Sequence, residues 1–130
     1  MEKIKLNFAF LCDNAFFSEG GKLNLIGIFK TISSKSLPVI HPQIFVVANV
    51  DVQKGKEYKE TIKIVDEDGK NIQSPIDFVF SIDRDSPDSE SGFMGQFNGL
   101  KFEKEGMYAL KILIDDEVIG SIPFEVKLIK

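Results

Sequence analysis

The residue types that carry enzyme chemistry are scarce in this chain. Its 130 residues include one cysteine, Cys12, and one histidine, His41. A nucleophilic triad needs a base beside its nucleophile, and a structural zinc site takes about four nitrogen or sulfur ligands. His41 lies between Ile40 and Pro42 in an extended segment, and we interpret it as a surface or packing residue. The sequence therefore predicts no enzyme, no catalytic residues, no metal site and no cofactor.

Cys12 follows Phe8 and Phe10 at every second position, which places its side chain on the predicted core face of a strand. A thiol buried among apolar side chains has a raised pKa and reacts poorly. We therefore expect Cys12 to be buried and unreactive. A single cysteine cannot form an internal disulfide, which fits a reducing compartment.

Phosphate-binding signatures are missing from the sequence as well. The segment Glu19–Lys22 lacks the spacing of a phosphate-binding loop and lies between strands rather than before a helix. The net charge is −4, from 20 acidic and 16 basic residues, and Arg84 is the single arginine. Phosphate and base recognition favour arginine, and the lysines here are scattered among acids rather than forming a basic patch. We expect no nucleic-acid partner.

Acidic residues cluster in three predicted loops, and these clusters leave a second function open. Some β-sandwiches bind calcium through six to eight oxygens supplied by Asp-rich loops at one end. The simpler interpretation is that these carboxylates favour turn geometry and keep sheet edges soluble. Calcium-dependent binding of a lipid headgroup or a carbohydrate is the alternative function, and hydrolysis by a carboxylate pair is a third. The residues concerned are Asp66, Glu67 and Asp68, then Asp83, Asp85, Asp88 and Glu90, then Asp115, Asp116 and Glu117.

The elements that would position these residues follow from a period-two alternation of apolar and polar residues along the whole chain. Short strands separated by Gly-, Pro- and Asp-rich turns, without helices between them, indicate an all-β fold. We predict an antiparallel Greek-key β-sandwich of about eight strands. The predicted strands are residues 4–12, 22–31, 44–50, 58–65, 76–82, 93–102, 108–114 and 118–128.

The first strand and the segment after it carry the most specific expectations. Residues 13–21 are predicted to be a connection, with Phe16 and Phe17 tucked under the sheet edge. Gly27, inside the second strand, predicts a β-bulge or the close approach of another group. The residues predicted to share the core face of the first strand are Ile4, Leu6, Phe8, Phe10 and Cys12.

Three later segments carry expectations of their own. Residues 37–42, with prolines at both ends, predict an extended crossover before the third strand. Residues 85–92 form a polar loop that we expect to be the most mobile part of the chain, with Ser86, Ser89 and Ser91, which lie among acids, as candidate modification sites. Pro123 predicts an edge strand or a bulge in the last strand.

Length and composition indicate one globular domain over residues 1–130. Hydrophobic residues make up 43% of the chain and charged residues 28%, which are ordinary values for such a domain. No apolar run approaches the ~20 residues of a membrane helix. The start of the chain, residues 1–6, alternates charged and apolar residues and lacks the apolar core of a signal peptide. We expect a cytoplasmic protein without membrane insertion.

Two stretches of the chain resemble a known family. Residues 8–29 (FAFLCDNAFFSEGGKLNLIGIF) and 98–126 (NGLKFEKEGMYALKILIDDEVIGSIPFEV) are similar to an uncharacterised family of small bacterial proteins, a domain of unknown function. The most specific piece is Cys12-Asp13 followed by residues 21–27. The Gly-x-Tyr turn and terminal hairpin are shared by many immunoglobulin-like sandwiches. The resemblance implies an immunoglobulin-like β-sandwich and brings no activity and no site residues.

The function that the sequence favours is a non-enzymatic protein-interaction or assembly module. Sheet edges and end loops of a β-sandwich are the usual places for protein contacts. An apolar edge strand invites pairing with a partner or with a second copy. The expected partner is therefore another protein or a homo-oligomer.

Overall fold

The computed structural model describes residues 4–130, which form strands and loops without a helix. No segment in this range could therefore cross a membrane as a helix. The expectation for residues 1–3 lies outside the described residues. The strands are β1 (Lys5–Ser18), β2 (Lys22–Ile28), β3 (Thr31–Ser34), β4 (Val39–Asp51), β5 (Glu57–Val65), β6 (Ile76–Ser81), β7 (Glu90–Phe102), β8 (Gly106–Ile114) and β9 (Glu117–Leu128).

The strands form two sheets, which confirms the expected all-β class. A four-stranded sheet has the order β2-β1-β4-β7, and a five-stranded sheet has the order β3-β9-β8-β5-β6. One expectation is wrong in detail, because β3 pairs with β9 in parallel while the other neighbours are antiparallel. The predicted second strand breaks after Ile28, and Thr31–Ser34 joins the other sheet beside β9. This break also raises the strand number in residues 4–130 from the expected eight to nine.

Strands β4 and β7 are longer than predicted. The prolines suggested a crossover over 37–42, but Pro42 falls between the paired positions His41 and Gln43, so pairing with β7 continues past it. Pairing also extends into the predicted mobile loop, since Glu90 lies opposite Asp51. The loop before β7 therefore spans 82–89 rather than 85–92.

The main core lies between the two sheets. On β5, Tyr58, Ile62 and Ile64 are almost completely buried, as the alternation predicts. Three aromatic rings close one end of the core, with centroids 5.0 to 5.9 Å apart, and they belong to Phe102, Tyr108 and Phe124. The Tyr108 hydroxyl donates a hydrogen bond of 2.7 Å to the Lys104 carbonyl, so its polar end is satisfied.

A β-bulge in β1 reverses the predicted faces of that strand. Leu6 lies opposite Val50 and Phe8 lies opposite Asn49, so Asn7 is an extra residue in the pairing. After the bulge Ala9 and Leu11 face the main core, and Phe8, Phe10 and Cys12 face the other side of the sheet. The exposed fractions agree: 1% for Leu11, 36% for Phe8 and 38% for Phe10. The expectation of one shared core face therefore holds for Ile4 and Leu6 and is wrong for the three residues that follow.

Candidate functional site

The second half of β1 and all of β2 form a two-stranded ribbon, residues 13–28, which leaves the plane of the four-stranded sheet. Pairing of β1 with β4 ends at Cys12, whereas pairing with β2 continues to Ser18. The ribbon lies over the outer face of the sheet, because Phe17 near its tip lines the same cleft as Phe8 and Met94. Residues 13–21 are therefore mostly strand rather than the predicted connection.

Asp13 and Gly27 sit where the ribbon leaves the sheet. Gly27 has φ of 73°, and a Cβ built on it would lie 2.5 Å from Oδ2 of Asp13, so the close approach predicted there is confirmed. The Asp13 carboxylate lies 3.4 Å from Nε2 of His41. The Asp13 carbonyl accepts a hydrogen bond of 3.1 Å from the side-chain amide of Gln43. His41 also packs against Phe29, with centroids 5.6 Å apart, so it joins the ribbon base to β4.

A small second core lies beneath the ribbon. Cys12, Ala15 and Val47 are buried there, with exposed fractions of 5% or less. Burial raises the pKa of the Cys12 thiol. Cys12 is therefore buried as expected, although under the ribbon rather than between the two sheets. The partly buried side chains around these three are Leu23, Leu25, Phe45 and Met94.

An open cleft of about 470 Å³ separates the ribbon tip from the sheet. This volume falls within the range of roughly 300–1,000 Å³ that is usual for binding pockets. Phe17 on the ribbon is 64% exposed, and Phe16 beside it is 43% exposed, so the expectation that these rings tuck under the sheet edge is wrong. The residues that line the cleft are Phe8, Phe17, Leu23, Val47, Ala48, Asn49, Gly92, Phe93 and Met94.

The outer face of the five-stranded sheet differs in chemistry. Lys63 and Lys111 lie in register on that face, and the Thr61 hydroxyl donates a hydrogen bond of 2.7 Å to Asp77. Such a polar outer face is usual for an antiparallel sheet with one solvated side. The apolar cleft is therefore a property of the four-stranded sheet and not of both faces of the sandwich.

Strand β7 borders the cleft and forms a free edge. It is the last strand of its sheet and has 13 residues, of which 91–100 include no charged residue and no proline. Natural proteins usually blunt such edges with short strands, charges or prolines. The edge strands of the five-stranded sheet follow that rule, since β3 has four residues and β6 carries Asp77. Gly92 and Met94 belong both to this edge and to the cleft.

The first and third predicted acidic clusters lie near opposite ends of β5 and serve local turns. Oδ1 of Asp66 accepts hydrogen bonds of 2.9 Å from the backbone amides of Asp68 and Lys70, and these bonds lower the pKa of Asp66. Oδ1 of Asp115 accepts a bond of 2.9 Å from the backbone amide of Lys59, near the opposite end of β5. Within residues 4–130 no three His, Cys, Asp or Glu side chains are grouped as a metal site would require.

Glu60 is a buried acid that is not among the candidate residues named above, although its position in the alternation of β5 predicts burial. It is 1% exposed, and its Oε2 has no hydrogen-bond partner in the described part of the chain. Burial raises its pKa to about 8. The signal was its phase, because Glu60 alternates with the inward-facing residues Tyr58 and Ile62.

Comparisons with known proteins give a family and a fold. A model described as "Family of unknown function (DUF6941)" matches residues 7–127. No curated protein is found to be similar. Two solved structures give TM-scores of 0.52. They are an alkylpurine DNA glycosylase from Pseudomonas fluorescens bound to DNA, 10% identical, and a beta-glucosidase from Listeria innocua with isofagomine, 7% identical.

The chain corresponds to only part of those two proteins. The matches cover 95% and 97% of this chain, but 30% of the glycosylase and 16% of the glucosidase. An immunoglobulin-like protein from Pseudomonas aeruginosa is 12% identical, with a TM-score of 0.42, over 95% of this chain and 96% of that one. At such low identities the likeness concerns the fold alone.

Proposed function

We propose that this chain, which belongs to the DUF6941 family of unknown function, is a non-enzymatic module. It binds another protein through the cleft beneath the β1–β2 ribbon. The observation that carries the proposal is the cleft, which is apolar, open and flanked by exposed phenylalanines. Exposed apolar patches that are surrounded by polar residues mark interaction sites more often than other parts of a protein surface do.

The exposed rings give the cleft a driving force for association. Burying a phenylalanine side chain fully contributes about 1.5–3 kcal/mol. Phe17 is 64% exposed, so covering it alone is worth about 1–2 kcal/mol by the same scale. Phe8, with 36% exposed, adds to this gain. A partner that covers the cleft therefore gains apolar contact without displacing any part of the chain.

The polar groups of the cleft suit binding better than catalysis. None of the side chains that line it, among the described residues, is ionisable at neutral pH. Asn49 supplies the one side-chain amide, and its Oδ1 accepts a hydrogen bond of 2.8 Å from Asn7. General acid–base catalysis needs a titrating group within hydrogen-bond reach of the reacting atoms. This supports a binding role.

We also propose a strand topology, in which the sandwich belongs to the Greek-key, immunoglobulin-like class. Supporting this assignment, β1 neighbours β4, β4 neighbours β7, and β5 neighbours β8, so sequence-distant strands lie side by side in both sheets. Such long connections between neighbouring strands are what a Greek key requires.

Site-specific photo-crosslinking tests the proposed function. A benzophenone amino acid placed at Phe17 should give protein adducts in the cell that makes the chain. The matched control is Val79, which is 60% exposed but lies on β6 of the other sheet. We expect adducts at position 17 that disappear when Phe8 is changed to Asp, and none at position 79. Equal adducts at both positions, or none at position 17, would contradict the proposal.

A further inference from the structure

We infer that the partner contributes an extended segment that pairs with the free edge of β7. The segment places apolar side chains at alternate positions over the cleft and a basic residue beside the carboxylates at the start of β7. The inference rests on the proposed function, because it names the kind of partner that the cleft accepts. Three features of the described residues carry it: the edge, the cleft and the charge at its end.

The edge selects an extended backbone. In residues 4–130 β7 has β4 as its single strand neighbour, so every second residue of β7 turns its N–H and C=O groups away from the sheet. An incoming strand satisfies these groups with its own backbone, which gives affinity with little dependence on sequence. The uncharged residues 91–100 span about 30 Å, room for eight or nine paired residues.

The cleft selects the side chains. A strand added to β7 lies about 4.8 Å from it, and its side chains alternate between the two faces of the sheet. Those on the outer face stand beside Gly92 and Met94, which line the cleft. Gly92 has no side chain, and the nearest atom to a Cβ at that position, Nδ2 of Asn49, lies 3.7 Å away. A partner side chain can therefore enter above Gly92 and meet Phe8 and Phe17.

The charge at one end selects a basic residue. Asp51 and Glu90 lie in register at the start of β7, and Asp88 precedes them in the loop. Ser89 donates a hydrogen bond to Asp51, and Asn7 donates one of 3.5 Å to Glu90. Lys5 of β1 lies opposite Asp51, so this end of the sheet carries one lysine beside the three carboxylates. An incoming Lys or Arg next to Glu90 would reduce the remaining negative charge.

A second copy of the chain satisfies these requirements less well. Its own β7 would have to act as the added strand. Antiparallel pairing would bring its Lys101 to Glu90, but its outward positions 92, 94, 96 and 98 offer one large apolar side chain, Met94. The cleft would stay largely empty in such a dimer. The observations therefore favour a different protein with an alternating apolar segment.

Peptide selection tests this inference. A phage library of random twelve-residue peptides is selected on the full chain and counter-selected on the Phe17→Asp variant. We expect enriched sequences with apolar residues at alternate positions and Lys or Arg near one end.

Backbone N-methylation at the alternate positions that face β7 should raise the Kd of a synthetic peptide at least tenfold, and N-methylation of the intervening residues less than twofold. Bound peptide should protect amides of residues 91–100 from hydrogen exchange.

Charge reversal supplies the matched control. Glu90→Lys should weaken binding of a basic peptide several-fold and restore binding of the same peptide with its basic residue changed to Glu. Glu57→Lys, an exposed position on β5, should leave binding unchanged.

The inference would be overturned if no peptide were selected. It would also be overturned if the selected peptides bound equally well after N-methylation and left β7 unprotected. If photo-crosslinking at position 17 still gave specific adducts, the proposed function would stand without it. The wild-type chain could instead form a concentration-dependent dimer that the Phe17→Asp variant does not form. That result would identify a second copy as the occupant of the cleft and would also overturn the inference.

Discussion

Glu60 shows what one carboxyl group does when the fold removes it from water. It lies on β5 between Tyr58 and Ile62, and its neighbours in register are Phe78 and Ile114. These side chains supply no positive charge, so the protonated form is favoured and the pKa rises to about 8. At pH 7 the folded protein therefore holds a proton there that the unfolded chain has released.

This difference makes the free energy of unfolding depend on pH. The ordinary pKa of 4.5 applies to the unfolded chain and about 8 to the folded one. Between these values stability falls as pH rises, on the order of 1.4 kcal/mol per pH unit. In Glu60→Gln that dependence should vanish, and urea unfolding from pH 5 to 9 measures it. Glu57→Gln, exposed on the same strand, is the control and should keep the wild-type slope. Equal slopes for wild type and Glu60→Gln would contradict the assignment.

Gly27 tests the junction between ribbon and sheet at the same scale. Its φ of 73° nearly equals the 74° of Gly21, which has no atom within 4 Å of a Cβ position. Gly21→Ala should therefore lower the free energy of unfolding only by the cost of placing alanine in a left-handed backbone conformation, about 1 kcal/mol. Gly27→Ala should cost about 1–3 kcal/mol more, because its methyl group meets the Asp13 carboxylate. Urea unfolding gives both values.

A double variant isolates the contact. In an Asp13→Ala background the cost of Gly27→Ala should fall toward that of Gly21→Ala, since the carboxylate is gone and only the Cβ of residue 13, 3.1 Å from the methyl group, remains. Equal costs for the two single glycine variants would mean that Asp13 does not constrain the junction.

At the scale of elements, the bulge in β1 decides which rings are available for binding. One extra residue, Asn7, moves the next side chains to the opposite faces of the sheet. Leu11 then enters the main core and Phe10 turns outward. Without the bulge, Phe8 would lie in the main core and the cleft would lose one of its walls.

Alanine substitutions on either side of this alternation test the bulge. Leu11→Ala should destabilise the protein by about 2–5 kcal/mol, because Leu11 is 1% exposed and leaves a cavity. Phe10→Ala should cost less than about 2 kcal/mol although it removes more atoms, because its ring is 38% exposed. Thermal or urea unfolding of the two variants gives the comparison. A larger loss for Phe10→Ala would restore the face assignment that simple alternation predicts.

The sequence predicted some elements well and others poorly for one physical reason. In β5 and β8 an unbroken alternation coincides with regular pairing, so Tyr58 and Ile112 lie where the pattern puts them. Pro123 also fits its expectation, because β3 pairs with β9 only from Glu125 onward, so within residues 4–130 the proline has β8 as its single strand neighbour. In β1 the pattern continues through the bulge without a visible break. A change of face therefore leaves no local trace in the sequence.

At the scale of the whole molecule, the candidate site arises from contacts between distant segments. Phe17 and Leu23 reach Phe8, Gly92 and Met94 because the ribbon folds over the sheet. No spacing along the chain encodes this approach, although Gly27 marks the bend. The scarcity of catalytic residue types favoured a binding module, which stays a prediction. The location of the proposed binding surface required the tertiary structure.

The proposed function requires a protein partner that covers the cleft, and hydroxyl-radical footprinting in the native cell measures that coverage directly. The rate of oxidation at Phe17 and Met94 is compared between the cell and the purified chain, with Val79 on the opposite sheet as the reference. We expect at least a threefold lower rate at Phe17 and Met94 in the cell, an unchanged rate at Val79, and loss of this protection in Phe8→Asp. Oxidation of Phe17 and Met94 at the same rate in the cell as in the purified chain would contradict it.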